Sequence, residues 1–190
     1  MLKKFNIDVK AADEIESLML GDNNNIFNWF YNNSSARDYE KNNNDVDSPQ
    51  LVHQFFCDGK IWSPYYDKIM KLLLSFKLPF SKIQIYRIKA NLTFNLTGAS
   101  YDKYQPIHTD VDDKDFKSFL YYVNDSDGDT LFFNDKDEIV ERISPKKGMG
   151  ILFNSNVRHA AQNPINSNKR AVINYILKGA TVLVNPGKNV

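Results

Sequence analysis

The amino-acid sequence predicts a mainly β fold with flanking helices, built around an antiparallel sandwich or barrel. From Ile83 onward, eight short segments rich in β-branched and aromatic residues follow one another with short gaps. Asp127-Gly128 predicts a hairpin between SFLYYVN and DTLFFN, and Pro145 with Gly148 predicts the next turn. The segments are IQIYRIKANLTFNL, YQPIHTD, SFLYYVND, TLFFND, EIVERIS, GMGILFN, VRHAAQN and RAVINYILK.

Two helices are expected in the N-terminal part, where they support the sheet. AADEIESLML, followed by Gly21, has the apolar spacing and the terminal glycine of a short helix. SPYYDKIMKLLLSF begins with Ser63-Pro64, a serine cap followed by a proline at the first helical position. Between the two helices, the aromatic-rich segments NIFNWFYNN and QLVHQFFCDGKIW predict two strands.

The whole chain, residues 1–190, is interpreted as one domain. Its 190 residues are enough for a single core that encloses a pocket. Residues 1–82 supply helices and supporting strands, residues 83–178 form the β core, and residues 179–190 form a C-terminal tail. The polar connection at about 33–48 is a candidate for a disordered segment or a lid.

Composition excludes several classes of protein. The 24 Lys and Arg nearly balance the 23 Asp and Glu, and a net charge of +1 argues against a nucleic-acid partner. The single cysteine, Cys57, excludes an internal disulfide and a multi-cysteine zinc site. The N-terminus lacks the apolar run of about 7 to 15 residues that a signal peptide needs, and no stretch of ~20 apolar residues occurs. We therefore expect a soluble, cytoplasmic protein with no membrane partner.

Three residues have the chemistry and the spacing of a metal site. His108 and Asp110 lie two positions apart in PIHTD, so on an extended strand both side chains project to one face. His159 follows 49 residues after Asp110, which is enough chain to return beside the first pair in an antiparallel barrel. Two histidines and one carboxylate suit non-haem Fe(II) and leave one face of the metal open, whereas a structural zinc site is closed by a fourth protein ligand.

Arg170 adds an anion-binding group to this set. It lies 11 residues after His159, in RAVINYILK, and is expected on the next strand within reach of the same cavity. Its guanidinium is always charged and presents a fork of donors, which suits the far carboxylate of a dicarboxylate ligand. The four residues together predict a metal centre beside an anion-binding site.

The stretch from about Ile83 to Leu177 resembles the Fe(II)- and 2-oxoglutarate-dependent dioxygenases, of the prolyl 4-hydroxylase-like kind. The segments that carry the resemblance are YQPIHTD, FLYYVNDSDGDTLFF, GMGILFNSNVRHAAQNP and RAVINYIL. The resemblance implies a double-stranded β-helix, which is a jelly-roll or cupin-like barrel. Tyr104 stands one residue further from His108 than the tyrosine of the family's usual Tyr-x-Pro-His.

The same resemblance implies a role for each site residue. His108, Asp110 and His159 would bind Fe(II), and Arg170 would pair with the C5 carboxylate of 2-oxoglutarate. Tyr122, the second tyrosine of YYVN, would help to hold that carboxylate. The implied reaction uses O2 to hydroxylate a substrate C–H bond and converts 2-oxoglutarate to succinate and CO2. The retained carboxylate of Asp110 favours hydroxylation over halogenation.

Other residues keep two interpretations. His53 is either a packed or surface residue or a residue on the substrate side, and Asn91 is either a hydrogen-bonded barrel residue or a cavity residue. The stretch Asp125-Ser-Asp127-Gly-Asp129 suggests an EF-hand loop, but its glycine stands at the fourth position instead of the sixth. A polar hairpin turn is therefore the preferred interpretation.

Two other functions stay open at this point. The polar, Asn-rich N-terminal third suggests a non-catalytic β-sandwich that binds metal or serves assembly. A cupin-type isomerase or hydrolase fits less well because such sites usually contain more histidines. The substrate, a small molecule or a peptide or protein, also stays open: candidates are a peptidyl proline, a free amino acid, another protein side chain and a modified nucleotide. The sequence does not indicate an oligomeric state.

Overall fold

The computed structural model describes residues 2–21, 27–34, 48–80, 82–96, 100 and 102–178. Over these ranges the chain forms two helices and eleven strands. The helices are α1 (Val9–Leu20) and α2 (Tyr66–Ser75). The strands are β1 (Lys3–Asn6), β2 (Phe30–Asn32), β3 (Gln50–Cys57), β4 (Lys60–Ile61), β5 (Gln84–Phe94), β6 (Phe116–Tyr122), β7 (Thr130–Phe133), β8 (Ile139–Ile143), β9 (Met149–Asn154), β10 (His159–Ala161) and β11 (Lys169–Lys178). Neither of these helices is long and apolar enough to cross a membrane.

The strands form two antiparallel sheets. The larger sheet has the order β1-β9-β6-β11-β5-β3-β2, with β4 paired to β3, and the smaller sheet has the order β10-β7-β8. β11 lies at the centre of the larger sheet, where it pairs with β5 on one side and β6 on the other. The prediction of a mainly β protein with flanking helices is confirmed.

The two faces of the larger sheet carry different side chains because residues alternate along a strand. On β11, Ala171, Ile173 and Tyr175 belong to the main apolar core, which also contains buried residues of both helices. The Tyr175 hydroxyl donates to the backbone carbonyl of Ile69 in α2 at 3.0 Å. Val172, from the opposite face, belongs to a second apolar cluster. The helices therefore cover one face of the sheet and leave the other for the second sheet.

The second apolar cluster joins the two sheets. Leu120 and Tyr122 of β6 and Val172 of β11 come from the larger sheet, and Phe132 of β7 and Ile143 of β8 come from the smaller one. These side chains are at most 7% exposed, so they fill part of the space between the sheets. The remaining space is a cavity whose lining includes His108, Asp110, His159 and Arg170.

The segment around Asp127-Gly128 does not close a hairpin, and that prediction was wrong. β6 pairs with β9 and β11, whereas β7 pairs with β8 and β10, so the chain crosses here from one sheet to the other. Gly128 is required by close approach: a Cβ at this position would lie 2.7 Å from the carbonyl oxygen of Gln162 and 3.0 Å from Cδ of Arg170. An Asp-Gly pair is typical of a turn, and the same turn can connect two strands of one hairpin or two strands of different sheets.

Some element boundaries also differ from the prediction. α2 begins at Tyr66 and not at Pro64, because the Ser63 hydroxyl accepts from the backbone N–H of Tyr65 at 3.2 Å and meets the His53 ring at 2.8 Å. YQPIHTD is not a continuous strand, since His108 forms only an isolated bridge. Most of the predicted polar connection, residues 35–47, and the predicted tail, residues 179–190, lie outside the described residues.

Candidate metal and anion-binding site

The structure brings His108, Asp110 and His159 together. One ligand atom of each residue lies within 4.8 Å of the ligand atoms of the other two. The backbones of the two histidines bond each other reciprocally, with both N–H to carbonyl distances at 2.9 Å. The backbone N–H of Asp110 donates to the carbonyl of Ser155 at 2.9 Å. The pairing predicted from the spacing of these residues is therefore made by a two-residue bridge instead of a regular strand.

Both imidazole rings are held by their own chain segments. Nδ1 of His108 lies 2.9 Å from the carbonyl oxygen of Pro106, and Nδ1 of His159 lies 2.9 Å from that of Val157. Because a carbonyl oxygen can only accept, each Nδ1 carries a hydrogen, and Nε2 is the ring nitrogen that can offer a lone pair to a metal. Burial, together with the neighbouring His159, lowers the pKa of His108 to about 4. The ring of His108 is therefore neutral at physiological pH, which is the form that binds metals.

The carboxylate of Asp110 completes this group as an anion. Its oxygen Oδ2 lies 3.8 Å from Nε2 of His159 and accepts a 2.6 Å hydrogen bond from the Ser118 hydroxyl. Burial alone raises the pKa of Asp110, but the two histidines, Ser118 and Arg87 outweigh burial and lower it. Two imidazoles and one carboxylate thus lie close together, with their ligand atoms within 4.8 Å of one another.

Arg170 is a buried cation that lines the same cavity as His108, Asp110 and His159. It is 3% exposed, and its guanidinium donates from Nε to the carbonyl of Gly128 at 2.7 Å and from Nη2 to the Thr130 hydroxyl at 2.8 Å. In the described part of the chain, no carboxylate forms an ion pair with Arg170. Burial lowers the pKa of Arg170, because a desolvated cation is costly without a counter-ion.

Tyr122 lies behind the wall of the cavity. It is fully buried, its hydroxyl donates to Thr130 at 2.8 Å, and Cζ of Arg170 lies 5.9 Å from the centre of its ring. Burial raises the pKa of Tyr122 to about 12, so the phenol stays protonated. Thr130 lines the cavity and accepts from both Tyr122 and Arg170. The phenol of Tyr122 therefore reaches the site through Thr130.

The cavity between the sheets has a volume of about 940 Å³. Arg170 lies on its wall, and so do His108, Asp110 and His159. Toward β3 and β2 the wall consists mainly of polar and charged side chains, among them Gln50, Gln54, Lys89, Asn91 and Tyr31. The space is larger than the metal and one small dicarboxylate need, so it has room for a second ligand.

The residues with two interpretations fall in different places. Asn91 lines the cavity. His53 lies outside the cavity lining, with its ring 4.3 Å from that of Phe27, and Nδ1 lies 2.6 Å from the backbone carbonyl of Asn28. Tyr104 packs against Phe133 at 5.2 Å in a small apolar cluster. His53 and Tyr104 are therefore packing residues in this structure.

Sequence reasoning missed several side chains that contact the site. Arg87 and Asn174 donate to Oδ1 of Asp110, Ser118 donates to Oδ2, and Thr130 accepts from Arg170. Asn174 stands four residues after Arg170 on β11, so strand alternation places both on one face. That spacing was the available signal, whereas Arg87 and Ser118 could be recognised only after the strand order was known.

Residues 94–178 match the family model described as the 2OG-Fe(II) oxygenase superfamily. No curated protein matches the chain. Among solved structures, an oxidoreductase of the 2OG-Fe(II) oxygenase family from Burkholderia pseudomallei is similar, with 13% identity and a TM-score of 0.67 over 93% of this chain and 82% of that one.

Two prolyl hydroxylases are also similar to this chain. One, from Trichoplax adhaerens, was solved with a peptide fragment of the hypoxia inducible factor oxygen degradation domain, and has 15% identity and a TM-score of 0.58 over 94% of this chain and 83% of that one. The other, from Pseudomonas putida, has 13% identity and a TM-score of 0.57 over 93% and 91%. At these identities the likeness establishes the fold, which is the predicted double-stranded β-helix.

Proposed function

We propose that this chain, whose residues 94–178 match the model of the 2OG-Fe(II) oxygenase superfamily, hydroxylates a C–H bond of its substrate. The superfamily consists of oxidoreductases that use Fe(II), 2-oxoglutarate and O2. When bound, these supply the oxidising chemistry: 2-oxoglutarate is converted to succinate and CO2 while one oxygen atom enters the substrate. The protein contributes binding, orientation and electrostatics.

The three clustered side chains fit Fe(II). His108 and His159 each offer one ring nitrogen, and Asp110 offers one carboxylate oxygen, all within 4.8 Å of one another. Two histidines and one carboxylate on a single face are the donor set of non-haem iron oxygenases. We propose that these three side chains would hold the metal and would leave its remaining positions to other ligands.

The single observation that carries the proposal is the state of Arg170. A 3% exposed guanidinium with only neutral partners among the described residues favours a bound anion. The C5 carboxylate of 2-oxoglutarate has the charge and the planar shape for this guanidinium. The Thr130 hydroxyl accepts from Arg170 and Tyr122, so its own hydrogen is available to the same carboxylate.

We propose a polar substrate derived from an amino acid, either a peptidyl proline or a free amino acid. The part of the cavity beyond the metal and Arg170 is lined by Gln54, Lys89 and Asn91, which offer hydrogen bonds and one positive charge. Such a wall suits an amide or a carboxylate better than a purely apolar compound. The net charge of +1 gives no support to nucleic acid as the substrate. A cytoplasmic location also stays a prediction.

The proposal is tested by binding and turnover in the purified protein. Anaerobic addition of Fe(II) and 2-oxoglutarate is expected to give a weak visible metal-to-ligand absorption band. His108→Ala and Asp110→Ala should remove the band and succinate formation together. Asp112→Ala, which changes an exposed neighbour of the site, should keep both. A wild-type protein that binds neither Fe(II) nor 2-oxoglutarate would refute the proposal.

The substrate is identified by substrate-stimulated succinate release. Free proline, proline-containing peptides and nucleosides are compared under identical conditions, with uncoupled succinate release as the baseline. Stimulation by proline or its peptides supports the proposed class, and stimulation only by nucleosides contradicts it. The family match favours an oxidoreductase over the non-catalytic β-sandwich considered from the sequence.

A further inference from the structure

The two oxygens of the Asp110 carboxylate have different neighbours. Oδ2 lies 3.8 Å from Nε2 of His159 and accepts from the Ser118 hydroxyl at 2.6 Å. Oδ1 accepts from Nδ2 of Asn174 at 2.8 Å and from Nη2 of Arg87 at 3.3 Å. Oδ2 is thus the oxygen beside His159, while Oδ1 contacts donors from β5 and β11.

We propose that Arg87 and Asn174 are positioning residues that hold Oδ1 of Asp110 and leave Oδ2 as the single metal-binding oxygen. The inference rests on the proposed function, because it assumes that Asp110 binds iron. A carboxylate can bind a metal through one oxygen or through two. Two donors on Oδ1, one of them charged, oppose the rotation that would bring both oxygens to the metal.

The strand order explains how three side chains reach one carboxylate. Arg87 of β5 and Ser118 of β6 are both in register with Ile176, from opposite sides of β11. Asn174 lies two residues before Ile176 on β11, and strand alternation puts it on the same face. Donors from three neighbouring strands therefore converge on Asp110, which follows His108 by two residues.

The arrangement favours orientation over tight metal binding. Arg87 is a cation beside the proposed site of another cation, and this like charge opposes metal binding. In the part of the chain that the structure describes, Nε of Arg87 and Oδ1 of Asn174 are buried without a hydrogen-bond partner. Unsatisfied polar atoms and a like charge are both unfavourable, so these contacts do not serve tight metal binding. With a single Asp110 oxygen on the metal, one further coordination position would stay open beside a bidentate cosubstrate.

Water molecules on bound Mn(II) report the number of protein ligand atoms. With one oxygen from Asp110, a six-coordinate Mn(II) keeps about three exchangeable waters, and with two oxygens it keeps about two. Water-proton relaxation of the Mn(II)-loaded protein measures this number without turnover. We expect wild type to show the larger number and Arg87→Met the smaller one.

The cosubstrate gives a second readout. Because 2-oxoglutarate takes two positions, its complex with the Mn(II) form should keep about one exchangeable water in wild type and none in Arg87→Met. Arg87→Lys keeps a charged donor and should restore part of both water numbers. Asn174→Ala removes the other donor and should change both readouts in the same direction. Water-proton relaxation, measured with and without 2-oxoglutarate, gives both numbers.

Lys117→Met is the matched control. Lys117 precedes Ser118 on β6, does not line the cavity, and its Nζ donates to the backbone carbonyl of Lys114 at 3.0 Å. Removing its charge should leave the water number unchanged. If Arg87→Met and Asn174→Ala both keep the wild-type water numbers with and without 2-oxoglutarate, the inference is wrong. If Arg87→Met does not fold, Arg87→Lys and Asn174→Ala still decide. Failure of the proposed function would appear differently, as a wild type that binds neither Mn(II) nor 2-oxoglutarate.

Discussion

The two charged groups of the cavity differ in how their charges are balanced. The carboxylate of Asp110 is surrounded by donors in place, namely Arg87, Asn174 and Ser118. Among the described residues, the hydrogen-bond partners of the Arg170 guanidinium are a carbonyl and a hydroxyl, and both are neutral. The charge at the proposed metal site is therefore balanced by the protein itself, whereas at Arg170 the proposed anion would supply the balance.

This difference leads to separate expectations for metal binding at Asp110 and for anion binding at Arg170. At the proposed metal site, several donors bind the carboxylate of Asp110. The loss of one donor is therefore expected to change the orientation of this carboxylate more than the fraction of protein that binds metal. At the proposed anion site, one guanidinium carries most of the attraction, so its loss removes binding. Substitutions at the two sites should consequently differ in size and in the ligand that they affect.

The largest effect is expected for Arg170→Met. The variant removes the buried cation and should weaken 2-oxoglutarate binding to the Mn(II) form by at least about 100-fold, or about 2.7 kcal/mol. Mn(II) binding itself should change little, since the three metal-binding side chains stay. Arg158→Met is the control, because Arg158 pairs with Asp137 at the surface. Comparable 2-oxoglutarate affinity in wild type and Arg170→Met, measured by calorimetry, would contradict the role of Arg170.

A smaller effect is expected for Gly128→Ala, which tests the close packing between Gly128 and the Arg170 side chain. The added Cβ would lie 2.7 Å from the carbonyl oxygen of Gln162 and 3.0 Å from Cδ of Arg170, so the crossing segment must move. We expect a loss of about 1–3 kcal/mol in unfolding free energy and weaker 2-oxoglutarate binding. In urea unfolding, Gly59→Ala serves as the control, because its added Cβ meets nothing within 4 Å and only its positive φ causes strain. An equal loss in the two variants would show that close packing at Gly128 is unimportant.

Thr130→Val and Tyr122→Phe distinguish the contribution of the Thr130 hydroxyl, which contacts Arg170, from that of the Tyr122 phenol, which contacts Thr130. Thr130→Val leaves two buried donors, on Tyr122 and Arg170, without their acceptor, and should lower 2-oxoglutarate affinity about tenfold. Tyr122→Phe keeps the bond between Thr130 and Arg170, so affinity should fall less than about threefold. Calorimetry of the two variants makes the comparison. If Tyr122→Phe loses as much affinity as Thr130→Val, the phenol contacts the cosubstrate directly.

The smallest effect concerns Asp127, a carboxylate outside the cavity. Burial raises its pKa, but backbone donors of Asn166, Ser167 and Ile165 outweigh burial and lower it to about 2. Since the pKa in the folded state lies below the ordinary value of 3.8, the stabilisation is complete above about pH 4 and is lost as the pH falls through about 2.

Asp127→Asn should therefore be less stable than wild type near neutral pH, and the difference should shrink below about pH 4. Urea unfolding midpoints of both proteins across this range measure the effect. Asp112→Asn, at an exposed position, is the control. A difference that is constant with pH would mean that the charge of Asp127 does not matter.

The sequence was informative where a short pattern determines the geometry. Strand alternation and the His108-x-Asp110 spacing predicted the β core and the clustering of the triad, and Arg170 was expected on the following strand. The sheet assignment of the segment after β6 was not predictable, because Asp127-Gly128 has the same local signature in a hairpin and in a crossing. Arg87 was missed for a similar reason: a polar residue on a strand gives no sign of its partner until the neighbouring strands are known.

The hydrogen bonds from Nδ1 of His108 and His159 have a consequence for how the site is specified. Each ring is oriented by a carbonyl only two residues earlier, at Pro106 and at Val157. The orientation of each ring is thus fixed within its own tripeptide, Pro106–His108 or Val157–His159, and does not depend on a contact with the far wall of the cavity. Residues of the cavity wall can therefore be replaced, so that a different substrate fits, without changing the orientation of the two imidazole rings.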